Sequence, residues 1–345
     1  MTGSIFEMQL SDSRVQDCKN FCLLPLLFLI TFNNIRDKKW VWRIFAMMCF
    51  SILFVAYYTT SQIAMYSSLA SREKISGTFQ FLGPNEVAAF MNQCSLILLG
   101  VYFCMKKSRN KLILLAIILI NIYCITFLYS RAAYIGLATG LLLLFAIKKR
   151  FMLIPLFLVA VLWQAVLPEK VVERIKSTKN EYGELDESSE MRVEIWEIAL
   201  QHFRESPVVG IGYGVFRNLG LILQDTHNIY VKILAEQGII GLMIFLSVIG
   251  TFIKEGFTLY QKGDEDISKG LGLGMMACMF CLLVNNFFGD RWSYFELSGF
   301  LWIFAGLIAR LNQLSSDPSS APMTTKSSLG MQANIKRKPK PSYYK

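Results

Sequence analysis

Residues 225–253 read DTHNIYVKILAEQGIIGLMIFLSVIGTFI, in which a polar start leads directly into an apolar segment. The apolar part, residues 238–253, contains no charged residue and predicts a helix that enters a membrane. The polar part predicts a separate helix that begins at Asp225 or Thr226 and ends where the apolar part starts. This stretch therefore predicts a helical membrane protein with a histidine, His227, at the membrane boundary.

The composition of the whole chain agrees with this prediction. Of its 345 residues 54% are hydrophobic and 17% are charged, against about 25% charged residues in soluble domains. The net charge of +10 lies largely in short loops, so membrane topology explains it and no nucleic-acid partner is expected. The fold class predicted is an all-α multi-span membrane protein. The apolar segments are 41–59, 85–104, 112–129, 131–147, 152–167, 238–253, 270–288 and 296–310, with a shorter run at 21–32.

The short loops also predict the orientation of the chain. Basic residues concentrate near positions 36–43, 106–111 and 148–150, and the positive-inside rule places these loops in the cytoplasm. The long loop then lies on the outer face. The predicted division is membrane spans 1–167, an outer helical subdomain 168–237, spans 238–310 and a disordered basic cytoplasmic tail 311–345.

The outer loop begins with a predicted helix, ELDESSEMRVEIWEIALQHFRESP at residues 184–207, which Ser188 or Ser189 can cap. Its inward face is formed by residues at positions i, i+4, i+7 and i+11, which are Arg192, Trp196, Ala199 and Phe203. No acidic residue lies three or four positions from Arg192, so the helix itself offers it no salt bridge. Arg192 either pairs with a carboxylate elsewhere in the fold or meets an anionic ligand, and the residues leave both interpretations open.

Three alternating glycines, Gly210, Gly212 and Gly214, follow this helix. They resemble a phosphate-binding loop only superficially, because no βαβ unit surrounds them. A tight turn between packed helices is favoured over a backbone site for an anion.

His227 falls in the first turn of the predicted helix that follows, where the helix dipole favours a neutral imidazole. A neutral histidine can accept a proton from a hydroxyl, as a general base does. The simpler alternative, which the residues alone favour, is a histidine bonded to the backbone at a helix start. Arg131 begins a span in a short outer turn, against the positive-inside trend, and either snorkels or faces a phosphate at the interface.

Four motifs in order resemble those of one protein family. They are PNEVAAFM at 84–91, SRAAYIGLATG from Ser130, MRVEIWEIALQHFRESPVVGIGYGVF from Met191 and THNIYVKILAEQGIIGLMIFL from Thr226. Together they resemble the O-antigen ligase and polymerase superfamily of bacterial inner-membrane proteins, over roughly residues 80–305.

This resemblance implies a GT-C-like helical glycosyltransferase in the bacterial inner membrane, with its active site facing the periplasm. The donor would be a glycan on undecaprenyl pyrophosphate. The acceptor would be a hydroxyl of lipid A–core for a ligase or a lipid-linked glycan for a polymerase. His227 matches the catalytic histidine, Arg131 and Arg192 match arginines that bind the pyrophosphate, and Asn228 belongs to the same substrate-binding motif. No metal or cofactor is implied.

Two further classes of protein compete with the transferase. A transporter would place ionisable residues near the middle of the membrane, whereas the polar residues within these spans are mostly amides. A non-catalytic accessory protein of polysaccharide export is favoured only by the few predicted spans, about eight or nine against ten to twelve in the family. Both remain alternatives to the transferase.

Overall fold

The structure, a computed structural model, describes residues 13–66, 68–79, 82–106, 109–177, 187–216 and 226–316. Within these ranges the chain is helical and contains no strand. The helices are α1 Ser13–Asn34, α2 Lys38–Met65, α3 Pro84–Cys104, α4 Arg109–Phe127, α5 Arg131–Lys148, α6 Leu153–Val161, α7 Trp163–Val166, α8 Glu169–Lys176, α9 Glu187–Glu205, α10 Ile229–Lys262, α11 Asp266–Asn285 and α12 Phe295–Ser316. Short 3₁₀ turns occur at Leu69–Lys74, Arg150–Met152 and Asn286–Phe288.

Seven of the described helices are long and apolar enough to cross a membrane: α2, α3, α4, α5, α10, α11 and α12. The all-α multi-span fold class is thereby confirmed. The predicted span 152–167 is wrong as a single helix, because the chain breaks at Leu162 into α6 and α7. The short run 21–32 is part of the longer helix α1, which packs along α12. Helix α12 continues to Ser316, past the predicted tail boundary, and residues 317–345 lie outside the described ranges.

Helices α3 and α11 form the centre of the bundle, and most of their surface is buried. Their backbones touch at glycines: a Cβ on Gly100 would overlap backbone atoms of Gly270 and Gly274 on the facing helix. Small residues allow such close approach, which is how helices associate where lipid is as apolar as their own side chains. The glycines of α3 and α11 therefore determine how closely the two central helices pack.

Replacing Gly100 by alanine is expected to destabilise the protein by about 2 kcal/mol, because the added methyl forces the two helices apart. Thermal unfolding in detergent measures this effect. Gly250→Ala is the matched control, since no atom lies within 4 Å of a Cβ built at Gly250. Equal unfolding temperatures for the two variants would contradict the role assigned to Gly100.

Helix α10 is interrupted at Gly238, whose backbone angles (φ 64°, ψ −163°) are not helical. This position agrees with the predicted boundary between a polar helix and a span. A kink leaves amide and carbonyl groups without their partners in the preceding turn. In this protein the segment after α9 supplies those partners.

The exchange of hydrogen bonds at the kink is reciprocal. The amides of Ile239 and Ile240 donate to the carbonyls of Pro207 (2.9 Å) and Val208 (3.3 Å). In the other direction, the carbonyls of Ala235 and Glu236 accept from the amides of Ile211 and Gly212, both at 2.9 Å. The loop that follows α9 is therefore bonded into the interrupted helix.

The glycine-rich segment, residues 210–214, packs against helix α10 at the kink. Gly210, Gly212 and Gly214 all have positive φ, and a Cβ on Gly210 would overlap the backbone at Glu236 and Gln237. The amides of Ile211 and Gly212 are bonded to α10. The predicted tight turn between packed helices is therefore confirmed at these residues.

Candidate functional site

We call the end of the bundle that carries His227 the His227 end. It is formed by the connection from α2 to α3, the turn before α5, helices α8 and α9, the start of α10 and the turn from α11 to α12. Arg131, Arg192, His227 and Asn228 all lie at this end. The structure thus gathers the four predicted site residues on one side of the membrane spans.

Asn228, and not Thr226, is the N-cap of α10. Its side-chain Oδ1 accepts from the amides of Tyr230 (3.0 Å) and Val231 (3.3 Å), and the residue is 4% exposed. The prediction that Thr226 or Asp225 caps this helix is therefore wrong for Thr226, while Asp225 lies outside the described residues. The Oδ1 atom of Asn228 therefore stabilises the start of α10. A role of Asn228 toward substrate stays a prediction.

His227 precedes the cap and does not lie in the first helical turn as predicted. Its side chain is exposed, and its φ is +49°, in the left-handed region. Tyr129, two residues before Arg131, is the other non-glycine residue with positive φ in the described parts of the chain. Such conformations concentrate at functional sites, because surrounding structure must hold them in place.

Trp196 holds the segment that carries His227. Its indole Nε1 donates to the carbonyl of Thr226 at 2.7 Å, and Ile195 and Ala199 of the same helix are buried with Ala235 of α10. The predicted inward face of α9 is thus confirmed at Ala199. The predicted caps are wrong, because α9 begins at Glu187 and Ser188 and Ser189 lie in its first turn.

Arg192 lies one helical turn before Trp196, and its side chain is half-buried. Because Trp196 bonds to Thr226, this face of α9 lies beside the segment that carries His227. Arg192 therefore belongs to the helix face that contacts the segment just before His227.

Arg131 begins α5 on another side of the same end. Asn92 of α3 donates through Nδ2 to the carbonyl of Ala133 at 2.7 Å, which fixes the first turn of α5. The last turn of α11 lies between α5 and α10: Asn285 packs closely against Gly136, and the carbonyl of Leu283 accepts from the hydroxyl of Tyr230 at 2.6 Å. Arg131 and His227 therefore flank the same end of α11.

Buried ion pairs fix the turn that follows α11. Asp290 is bonded to Lys232 of α10 at 3.0 Å and accepts from the amides of Trp292 (3.0 Å) and Ser293 (2.9 Å). Burial alone would raise the pKa of Asp290, but Lys232 and the Ser293 amide together hold that pKa below its usual value. Arg291 pairs with Glu86 at the start of α3. These pairs connect the turn after α11 to α10 and to α3.

The sequence prediction missed several charged residues here, including Arg72, Arg174 and Lys232. A signal for Arg72 was available, since it lies in the connection 60–84 that the sequence predicts on the outer face, against the positive-inside trend. That trend had identified Arg131. Lys232 and Asp290 are 58 positions apart in sequence, so no local pattern relates them.

In the described ranges, no three His, Cys, Asp or Glu side chains are grouped so that they could hold a metal ion. The predicted independence of the chemistry from metal stays a prediction. The candidate groups for chemistry at this end are the His227 imidazole and several guanidinium groups.

A comparison with known protein families matches residues 113–246 to the family described as O-antigen ligase. The matched segment contains Arg131, Arg192, His227 and Asn228. Over this segment the chain is similar to the O-antigen ligase/polymerase superfamily. An O-antigen ligase from Pseudomonas aeruginosa is 31% identical over 127 residues, which cover 34% of this chain and 28% of that protein.

This similarity agrees with the order of motifs along the chain. The motif PNEVAAFM places Pro84 at the first turn of α3, where Asn85 contacts Arg72 and Glu86 contacts Arg291. The other motifs provide the start of α5, the inward face of α9 and the capped start of α10.

Proposed function

We propose that this chain is a GT-C-type glycosyltransferase that moves a glycan from undecaprenyl pyrophosphate to an acceptor hydroxyl, as an O-antigen ligase or polymerase. The observation that carries the proposal is the geometry at the His227 end. Trp196, one turn from Arg192, bonds to Thr226 and so holds the segment that carries the exposed His227, and Arg131 flanks the same end of α11. Similarity to the O-antigen ligase family supports a ligase or polymerase role.

The proposed reaction is a displacement at the anomeric carbon of the donor glycan. The acceptor hydroxyl oxygen forms a bond to that carbon while the bond from the carbon to the phosphate oxygen breaks. His227 accepts the hydroxyl proton, and undecaprenyl pyrophosphate leaves with the bonding electron pair. Arg131 and Arg192 stabilise the charge that develops on the leaving pyrophosphate, because fixed positive groups bind the transition state more tightly than the ground state.

The position at the membrane boundary suits these substrates. The donor carries its glycan on a lipid, so the reacting bond lies near the membrane surface while the isoprenoid stays among the apolar spans. By the positive-inside rule the His227 end faces the periplasm of a bacterial inner membrane. The acceptor would be lipid A–core for a ligase and a second lipid-linked glycan for a polymerase.

Replacing Arg131 or Arg192 by alanine is expected to lower kcat/KM by roughly 100-fold, because each substitution removes a positive charge that stabilises the leaving pyrophosphate. The assay uses purified protein in nanodiscs and follows release of undecaprenyl pyrophosphate. Arg204→Ala is the matched control, since Arg204 is an exposed arginine on α9, the helix that carries Arg192. Wild-type rates in both site variants would overturn the proposed function.

The same variants in a strain deleted for the gene distinguish the two transferases. Loss of glycan attachment to lipid A–core on a gel identifies a ligase. Products limited to single repeat units identify a polymerase. Unchanged polysaccharide with normal levels of inserted protein would contradict both.

A further inference from the structure

Three arginines from distant parts of the chain lie together at the His227 end. Arg72 lies in the 3₁₀ turn before α3, Arg131 begins α5, and Arg174 lies on α8. Arg72 and Arg174 line one cavity of about 210 Å³ together with Ser177. Arg131 is close enough to act electrostatically on Arg72.

Arg72 is the most deeply buried member, with 3% of its surface exposed. Its Nη2 donates to Oδ1 of Asn85 at 2.9 Å, and its Nε lies 3.6 Å from the Glu73 carboxylate. Within the described residues, that Nε has no hydrogen-bond acceptor. Buried guanidinium donors are usually satisfied, so an acceptor that enters the cavity would complete the coordination of Arg72.

The charges around the cavity favour an anion as that acceptor. Glu73 and Glu173 also line it, but both are exposed, so solvent screens their charge more than that of buried Arg72. Burial lowers the pKa of Arg72, and repulsion from Arg174 and Arg131 adds to this effect, while Glu73 and Tyr134 oppose it. A bound anion would offset the repulsion that the two neighbouring arginines exert on Arg72.

Helix α8 brings Arg174 to this position. The chain crosses from the end of α5 through α6 and α7, and α8 follows at Glu169, where Pro168 and Tyr129 line a common pocket. Val171, three residues before Arg174, is buried, so α8 is fixed to the bundle. Arg174 is therefore held by packing at a defined place.

We propose that Arg72 and Arg174 join Arg131 in one anion-binding site that takes the phosphate groups of the lipid-linked donor. The assignment rests on the proposed function and extends it, because neither Arg72 nor Arg174 belongs to the motifs that identified the family. Arginine matches phosphate oxygens with paired donors, and three guanidinium groups suit the several oxygens of a diphosphate. Arg192 remains on the side of the site nearest His227.

The test measures binding of inorganic pyrophosphate to the full chain in detergent by isothermal titration calorimetry. Arg72→Gln and Arg174→Gln are each expected to weaken binding by about tenfold, because each removes a charged hydrogen bond. Arg72→Lys keeps the charge but not the paired donors and should restore binding partly. Arg204→Gln is the control and should bind pyrophosphate like the wild type.

Wild-type pyrophosphate affinity in both glutamine variants overturns the proposal. Because Arg72 is buried, its variant counts only if its unfolding temperature matches that of the wild type. Arg174→Gln, at a half-buried position, provides the second test.

Repeating the titration in nanodiscs with and without phosphatidylglycerol identifies the source of the phosphate. Binding that phosphatidylglycerol leaves unchanged supports the donor diphosphate, whereas competition assigns the site to a bilayer headgroup and overturns the donor assignment.

Failure of this inference and failure of the proposed function give different results. If Arg131→Gln weakens pyrophosphate binding while Arg72→Gln and Arg174→Gln do not, only the additional arginines are wrongly assigned. If the wild-type protein in nanodiscs releases no undecaprenyl pyrophosphate from a glycan donor, the transferase itself fails, even where all three arginines bind the anion.

Discussion

Replacing His227 by asparagine is expected to lower the rate of glycan transfer by about 1,000-fold, because the acceptor hydroxyl loses its general base. Asparagine is the chosen replacement, because it removes the imidazole and still tolerates the left-handed backbone that His227 adopts at φ +49°. The exposed imidazole contributes little to packing, so the unfolding temperature should stay near that of the wild type. The measurement compares kcat in nanodiscs with thermal unfolding of the same preparation.

The chain provides its own control for this substitution. His202 is the only other histidine in the sequence, and it pairs with exposed Glu205 at 3.1 Å on α9. His202→Asn should transfer glycan at the wild-type rate. A His227→Asn variant that keeps wild-type kcat would show that the imidazole is not the base, whatever the two arginines do.

Replacing Gly238 by valine is expected to destabilise the protein by about 4 kcal/mol, since backbone strain and steric overlap add. The backbone angles of Gly238 (φ 64°, ψ −163°) belong to a region that only glycine adopts readily. A Cβ there would also overlap the carbonyl of Val208. That carbonyl accepts from Ile240, so the substitution acts on the reciprocal bonds between the loop and α10.

The expected result is a lower unfolding temperature together with faster proteolysis of the loop after α9. Transfer should fall as well, because His227 lies on the segment between that loop and α10. Gly250→Val is the matched control in the same helix, as a side chain there meets no atom within 4 Å. Equal unfolding and cleavage in the two variants would contradict the role of the kink.

Features decided by neighbours along the chain were predictable. The apolar segments identified all seven helices that the structure offers as spans, since the length of an apolar run depends only on its own residues. The face that Arg192, Trp196 and Ala199 share follows from helical periodicity. The end of the polar helix before Gly238 was predictable for the same reason, because glycine following a periodic segment indicates a boundary.

Predictions that depended on one or two local bonds were less accurate. Thr226 and Asn228 are both good N-cap residues, and the structure selects Asn228, whose oxygen reaches the amides of Tyr230 and Val231. That choice displaces His227 from the first turn to a position before the cap. The break at Leu162 between α6 and α7 was likewise not predicted, because neither glycine nor proline occupies that position in the apolar run.

The sequence by itself determined the class of protein, its membrane spans and the residue types available for chemistry, because hydrophobicity and helical period are local properties. Only the tertiary structure decided which of those residues meet. Arg72 and Arg174 are separated by about a hundred positions yet line one cavity. The kink at Gly238 is satisfied by hydrogen bonds from the loop that follows α9. Such contacts depend on how whole helices pack, and no pattern within a single helix specifies that packing.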